Sequence, residues 1–119
     1  MPAGEHQTFD REAFLERLDG DLRLARDLIA TYLEESPAMR AGLRAALESG
    51  EPSNLERAAH TLRGALSAVS AAIASDLADQ LETSSRDGDL SAGPETVAEL
   101  EAELDLVEQA LRSFPREAG

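Results

Sequence analysis

The stretch Ala58–Ala71, AAHTLRGALSAVSA, decides how the chain is read. Apolar residues at Leu55, Ala58, Ala59, Leu62, Leu66 and Val69 follow the i, i+3, i+4, i+7 spacing of a helix with one buried stripe. At about 100° per residue, His60 falls nearly opposite that stripe. Residues three and four apart are neighbours on a helix, so Arg63, Gly64 and Ser67 share its side. The outer face thus gathers an imidazole, a fixed cation and a glycine. The glycine is the unusual member: in a helix interior it costs about 1 kcal/mol relative to alanine. It caps nothing, because the apolar pattern runs on to Val69. A bare backbone beside His60 leaves room for another surface to come close.

Outward from this stretch the chain reads as helices, with no strand pattern. Asp10 to Leu18 is a short helix with Phe14, Leu15 and Leu18 inward and Asp10 as N-cap, ended by Asp19-Gly20-Asp21. Leu22, Leu24, Ala25, Leu28, Ile29, Tyr32 and Leu33 then give a broad apolar face up to Glu35. Ser36-Pro37 predicts a kink or a restart, since serine caps well and proline suits the first helical position. Met39, Leu43, Ala46 and Leu47 carry the pattern to Ser49-Gly50, and Ser53 is the expected cap of the His60 helix. Ile73, Leu77, Ala78 and Leu81 mark another helix to about Arg86, closed by Asp87-Gly88-Asp89. After Pro94, the residues Val97, Leu100, Leu104, Val107, Leu111 and Phe114 fall on a 3-4-3-4-3 seam, as in an antiparallel bundle.

The expected fold is all-α: an antiparallel up-down four-helix bundle of 37–49, 53–69, 71–86 and 94–113. One or two additional N-terminal helices pack over one end or extend the first bundle helix. The domain spans 9–114, between flexible tails at 1–8, where His6 is idle, and at 115–119, where Pro115 prevents continuation.

Composition narrows the function. At 119 residues the chain is long enough for one core. A net charge of −13 makes nucleic acid or an anionic membrane a poor partner. No run has the length of a membrane span, and no secretory signal is visible, so a cytoplasmic location is expected. There is no cysteine, which removes disulfides and thiolate chemistry. Two separated histidines offer no metal site. A stand-alone hydrolase or transferase would need a Gly-rich phosphate loop, a paired histidine or a metal cluster, and none is present.

His60-Thr61-Leu62-Arg63-Gly64 resembles the H-x-[LI]-K-G signature of histidine-containing phosphotransfer (HPt) domains. These are small helical bundles that relay a phosphoryl group between response-regulator receiver domains. The resemblance extends over about 9–114, through FDREAFLERLDGD, LIATYLEESPAMRAGLRAALESGE and LADQLETSSRDGDL. It implies that His60 is the phosphoacceptor, with Arg63 attracting or stabilising the phosphoryl group and Gly64 giving the receiver access. It also implies that Glu82 faces the imidazole from the next helix and that Arg86 assists docking. Arg57, from its place in the less acidic surface, and Ser67, from its place on the His60 side, join Gly64 and Arg86 as candidate partner-binding residues. The partners would be receiver domains and a hybrid sensor histidine kinase, with Mg²⁺ on the receiver and no cofactor on this chain. The protein would be a monomeric phosphocarrier without autonomous kinase or hydrolase activity. A histidine-kinase dimerisation helix is a poorer match, because Thr61 and Gly64 do not fit its box and no nucleotide-binding domain follows. The rival from another class is a helical scaffold that binds a receiver without transferring phosphate.

Three departures from the family pattern stand out. Arg63 replaces lysine, so a wide planar fork stands where a compact ammonium would be. Ala65 stands where serine is frequent. Ser70 stands where glycine usually ends the helix, so a longer first turn of the next helix is the expected substitute cap. Separately, Glu56 lies one turn before His60, in reach of an i, i+4 contact. Between Arg86 and Arg112 eight acidic residues occur without a basic one, which reads as a solvated face of the last helix that repels a receiver's carboxylate pocket. Docking is expected around Arg57, Arg63 and Arg86 instead.

Overall fold

The seam of the last helix closes as its spacing predicts: Val97, Leu100, Leu104, Val107, Leu111 and Phe114 are each no more than 1% exposed. They meet the inward faces of three other long helices in a computed structural model that describes residues 7–118, with side chains to 114. The elements are α1 (Arg11–Arg17), α2 (Leu22–Ser49), α3 (Pro52–Ala68), α4 (Ala72–Arg86) and α5 (Gly93–Ala118), and no strand occurs among the described residues. Packing runs α2–α3–α4–α5 and back to α2, the cyclic neighbour pattern of an up-down bundle, with α3 and α4 in the most extensive contact. The His60 helix buries Leu55, Ala59, Leu62 and Leu66, the stripe its sequence predicts.

Both N-terminal expectations are met, one by each helix: α1 packs over an end of the bundle and the next stretch extends the first bundle helix. The restart at Ser36-Pro37 does not occur, and α2 runs unbroken for 28 residues with Pro37 inside it. At 1.5 Å per residue that is about 42 Å, matching the 44 Å long axis of the molecule. Ser36 does not cap. It is buried, and its hydroxyl donates to Glu108 Oε2 at 2.5 Å, while Arg40 donates to the same oxygen at 3.1 Å. These bonds anchor α2 to α5 on both sides of Pro37 and offset the backbone bond that proline cannot make. The acidic run is solvated only in part: Asp87, Asp89, Glu95, Glu99 and Asp105 are exposed, whereas Glu103 is buried and Glu108 and Glu101 lie against α2, paired with Arg40 and Arg44.

Tyr32 lies against this network, and its hydroxyl is raised to about 12, chiefly by burial, with the Glu108 charge adding to it. The neutral phenol is therefore the folded form. Its contribution to stability is present below pH 10 and is lost as pH rises through 12. The chain has one tyrosine and no tryptophan, so absorbance titration reads it cleanly. Native protein should ionise near pH 12, whereas urea-unfolded protein should ionise near pH 10.

The remaining differences are local. The N-cap of α3 is Glu51, which makes no side-chain bond, with Pro52 at the first position; Ser53 lies inside the helix rather than capping it. Leu22 and Leu24 are 36% and 43% exposed, so the inward face of α2 begins at Ala25. The helical backbone of α5 continues past Pro115 to Ala118, although Pro115 cannot donate to the Leu111 carbonyl. The expected tail at 1–8 falls mostly outside the described residues.

No longer first turn of α4 replaces the missing glycine after α3. Ser70 itself adopts the left-handed conformation (φ 58°), so Ala71 N donates back to the Leu66 carbonyl at 3.0 Å. Arg17 of α1 completes the cap, donating to the Ser67 carbonyl at 3.0 Å and to Ser70 Oγ at 2.8 Å. A left-handed non-glycine residue costs about 1–2 kcal/mol, and the exposed Arg17–Ser70 bond returns part of that. Ser70→Gly should therefore stabilise the fold by about 0.5 kcal/mol in urea titration. A loss of stability would mean that the Arg17 bond outweighs the strain.

Candidate functional site

On the outer side of α3, opposite the buried stripe, His60 is 63% exposed at the side chain. α4 packs antiparallel to α3 and carries Glu82 beneath the imidazole, with Asp79 and Arg86 one turn to either side. Glu82 is only 4% exposed. A buried carboxylate needs partners, and Glu82 has three. Arg63 Nε donates to Oε1 at 2.7 Å, and Oε2 lies 2.8 Å from His60 Nδ1 and 3.1 Å from an Arg86 guanidinium nitrogen. The Arg63 bond holds the Glu82 carboxyl below the usual range, with the contact to His60 acting in the same direction and burial opposing both. Glu82 is thus an anion at neutral pH.

That charge fixes the imidazole. Nδ1 approaches Glu82 Oε2 at 2.8 Å and an Arg63 nitrogen at 3.1 Å, and it cannot donate to one while accepting from the other. The carboxylate can only accept. Nδ1 therefore carries the proton and donates to Glu82, and the Arg63 contact is a close approach rather than a hydrogen bond. In the neutral ring this leaves the Nε2 lone pair free on the exposed side.

Most of the residues singled out from the sequence converge here. Arg63, one turn after His60, is tied to Glu82 and lies 3.9 Å from Asp79, a neighbour the sequence did not single out. Gly64 is exposed, and a Cβ built on it would meet nothing within 4 Å. Packing within the molecule therefore does not require glycine there. Glu56 does not turn to His60; it accepts from Arg86 Nε at 3.2 Å, because Arg86 reaches across from α4 and offers a full charge. Arg86 so bridges Glu56 and Glu82. Ser67 is joined to Ser75 of α4 through their hydroxyls at 2.9 Å, a pairing no single-sequence signal reveals. Arg57 is exposed and makes no ion pair or hydrogen bond among the described residues. It stands between a shallow hollow lined by Ser53, Glu56, His60 and Glu82 and a groove lined by Met39, Gly42, Ala46, Ala58 and Thr61. Of the three alanines near the patch, Ala71 is buried, Ala65 half-buried and Ala68 exposed.

The family model described as "Hpt domain" matches residues 27–110, which contain every residue of this cluster. The chain belongs to the Hpt family. No curated protein matches it. The crystal structure of histidine-containing phosphotransfer protein B (HptB) from Pseudomonas aeruginosa PAO1 is similar, with a TM-score of 0.85 at 22% identity, over 93% of this chain and 96% of that one. At that identity the likeness speaks for the helical-bundle fold alone. Hpt membership supports a histidine phosphotransfer role in phosphorelays, in which Hpt domains act as phosphocarriers and interact with receiver domains and kinases. Among the described residues, no helix of this Hpt domain is long and apolar enough to cross a membrane.

Proposed function

We propose that this Hpt domain carries a phosphoryl group on Nε2 of His60 between the aspartates of receiver domains. The observation that carries the reading is the 2.8 Å contact between Nδ1 and the buried Glu82 carboxylate, which leaves Nε2 as the exposed nucleophile. The Nε2 lone pair attacks the phosphorus of the receiver's aspartyl phosphate. A bond forms between Nε2 and phosphorus, and the bond to the aspartate oxygen breaks, leaving a carboxylate on the receiver. With both nitrogens substituted the ring becomes cationic, and Glu82 stabilises that charge while its proton stays on Nδ1. Arg63 flanks the ring and offers a guanidinium to the incoming phosphoryl oxygens. Gly64 leaves the open ground over which the receiver closes. The return transfer runs the same steps backwards, so the chain needs no kinase activity of its own.

Arg57 is the uncommitted cation of this face and is the natural contact for carboxylates around the receiver's pocket. Any Mg²⁺ that assists belongs to that pocket and not to this chain. Docking as a monomer in the cytoplasm, away from nucleic acid and membrane, fits the acidic charge. The test is a single-turnover transfer from a phosphorylated receiver of the same source. Label that is lost in acid and kept in alkali supports the carrier. A receiver that binds but transfers nothing supports the scaffold.

A further inference from the structure

Arg86 has the position of a docking residue and the contacts of an internal one. Its two ends are both engaged, Nε with Glu56 at 3.2 Å and a terminal nitrogen with Glu82 Oε2 at 3.1 Å. Oε2 is the same oxygen that receives His60 Nδ1. A guanidinium on this oxygen fixes the plane of the Glu82 carboxylate, since Arg63 holds Oε1 and Arg86 holds Oε2.

That fixed plane bears on reactivity, because the ring orientation that turns the Nε2 lone pair outward is set by the Nδ1 bond to Glu82 Oε2. Around the ring, α3 contributes Glu56, Arg57 and Arg63, and α4 contributes Asp79, Glu82 and Arg86. Glu82 and Glu56 are balanced within the cluster by Arg63 and Arg86. Asp79 and Arg57 are the exposed remainder, one of each sign.

We infer that Arg86 is a positioning residue that acts through Glu82, holding the carboxylate that orients the His60 ring with Nδ1 inward and Nε2 outward, rather than a residue that docks the partner. The inference rests on His60 being the phosphoacceptor and adds what orients that acceptor.

Arg86→Gln and Arg86→Lys test it in two independent ways. In the first, the His60 ring is followed by long-range ¹H–¹⁵N NMR across pH, with no receiver present. The wild type should show the Nδ1–H form as its neutral tautomer. Arg86→Gln should admit the Nε2–H tautomer as the hold on Glu82 Oε2 loosens, and Arg86→Lys should resemble wild type. In the second, receiver-to-His60 transfer is measured. Arg86→Gln should slow it about threefold, because the carboxylate that orients the ring loses one of its two guanidinium anchors, with recovery in Arg86→Lys and unchanged affinity for the receiver. Weaker receiver binding, with the ring spectrum unchanged, would make Arg86 a docking residue and overturn the inference. If no receiver labels the wild type, the phosphotransfer reading fails, and the NMR arm still decides whether Arg86 controls the ring.

Discussion

His60→Gln should abolish acid-labile phosphoryl uptake while leaving the fold intact. Glutamine keeps an amide that can still contact Glu82, but it has no ring nitrogen with a lone pair to attack phosphorus. The loss should therefore be complete, not partial. The cost to stability should be small, within about 0.5 kcal/mol, because the His60 side chain is 63% exposed. Circular dichroism and urea midpoint should thus match wild type while the label disappears. Residual acid-labile phosphate on the variant would place the acceptor elsewhere, with His6 the remaining histidine.

Phe14→Ala should have the largest effect on stability, about 3–5 kcal/mol. The chain has three phenylalanines, and all of them meet at one end of the bundle. Phe9 lies 5.6 Å from Phe14 and 6.0 Å from Phe114, and Phe14 lies 6.1 Å from Phe114, all edge-on. Phe14 and Phe114 are buried, and Arg11 stacks over the Phe114 ring at 5.2 Å. Small domains have only about 5–15 kcal/mol in total, so this one truncation takes a large share. Urea denaturation reads the loss, and near-neutral behaviour would show that α1 is dispensable. All three rings lie outside residues 27–110, so a fragment limited to the family match would lose this end of the core. Phosphoryl uptake by the folded fraction should be unchanged, because the site is on α3 and α4.

What the sequence made legible was periodicity. The α3 stripe and the α5 seam are apolar at helical spacing, and burial follows that spacing almost residue for residue. Asp10 was readable as a cap because a capping bond is local, and Ala13 N does donate to its carboxylate at 3.0 Å. Where tertiary contacts decide, local signals misled. Ser36-Pro37 has the chemistry of a helix start, yet Ser36 bonds Glu108, 72 positions away, and the helix continues. Within the acidic stretch, Glu101 and Glu108 looked solvated because their arginine partners are on α2. Ser70 looked unable to end α3 as glycine does, and Arg17 of α1 supplies the missing support.

The site divides the same way. His60, Arg63 and Gly64 share a helix face by arithmetic alone. Glu82 came from resemblance to the family, and its position 2.8 Å from Nδ1 required the α3–α4 packing. Glu56 was aimed at His60 because only its own helix was in view. A guanidinium from α4 outcompetes the imidazole for it.

The chemical identity of the phosphorylated atom tests the account most directly. Protein labelled with ¹⁵N at histidine would be phosphorylated by its receiver and examined by ³¹P and long-range ¹H–¹⁵N NMR. The account predicts phosphorus bonded to Nε2 of His60 with Nδ1 still protonated. Phosphorus on Nδ1, on His6 or on an acid-stable side chain would contradict it.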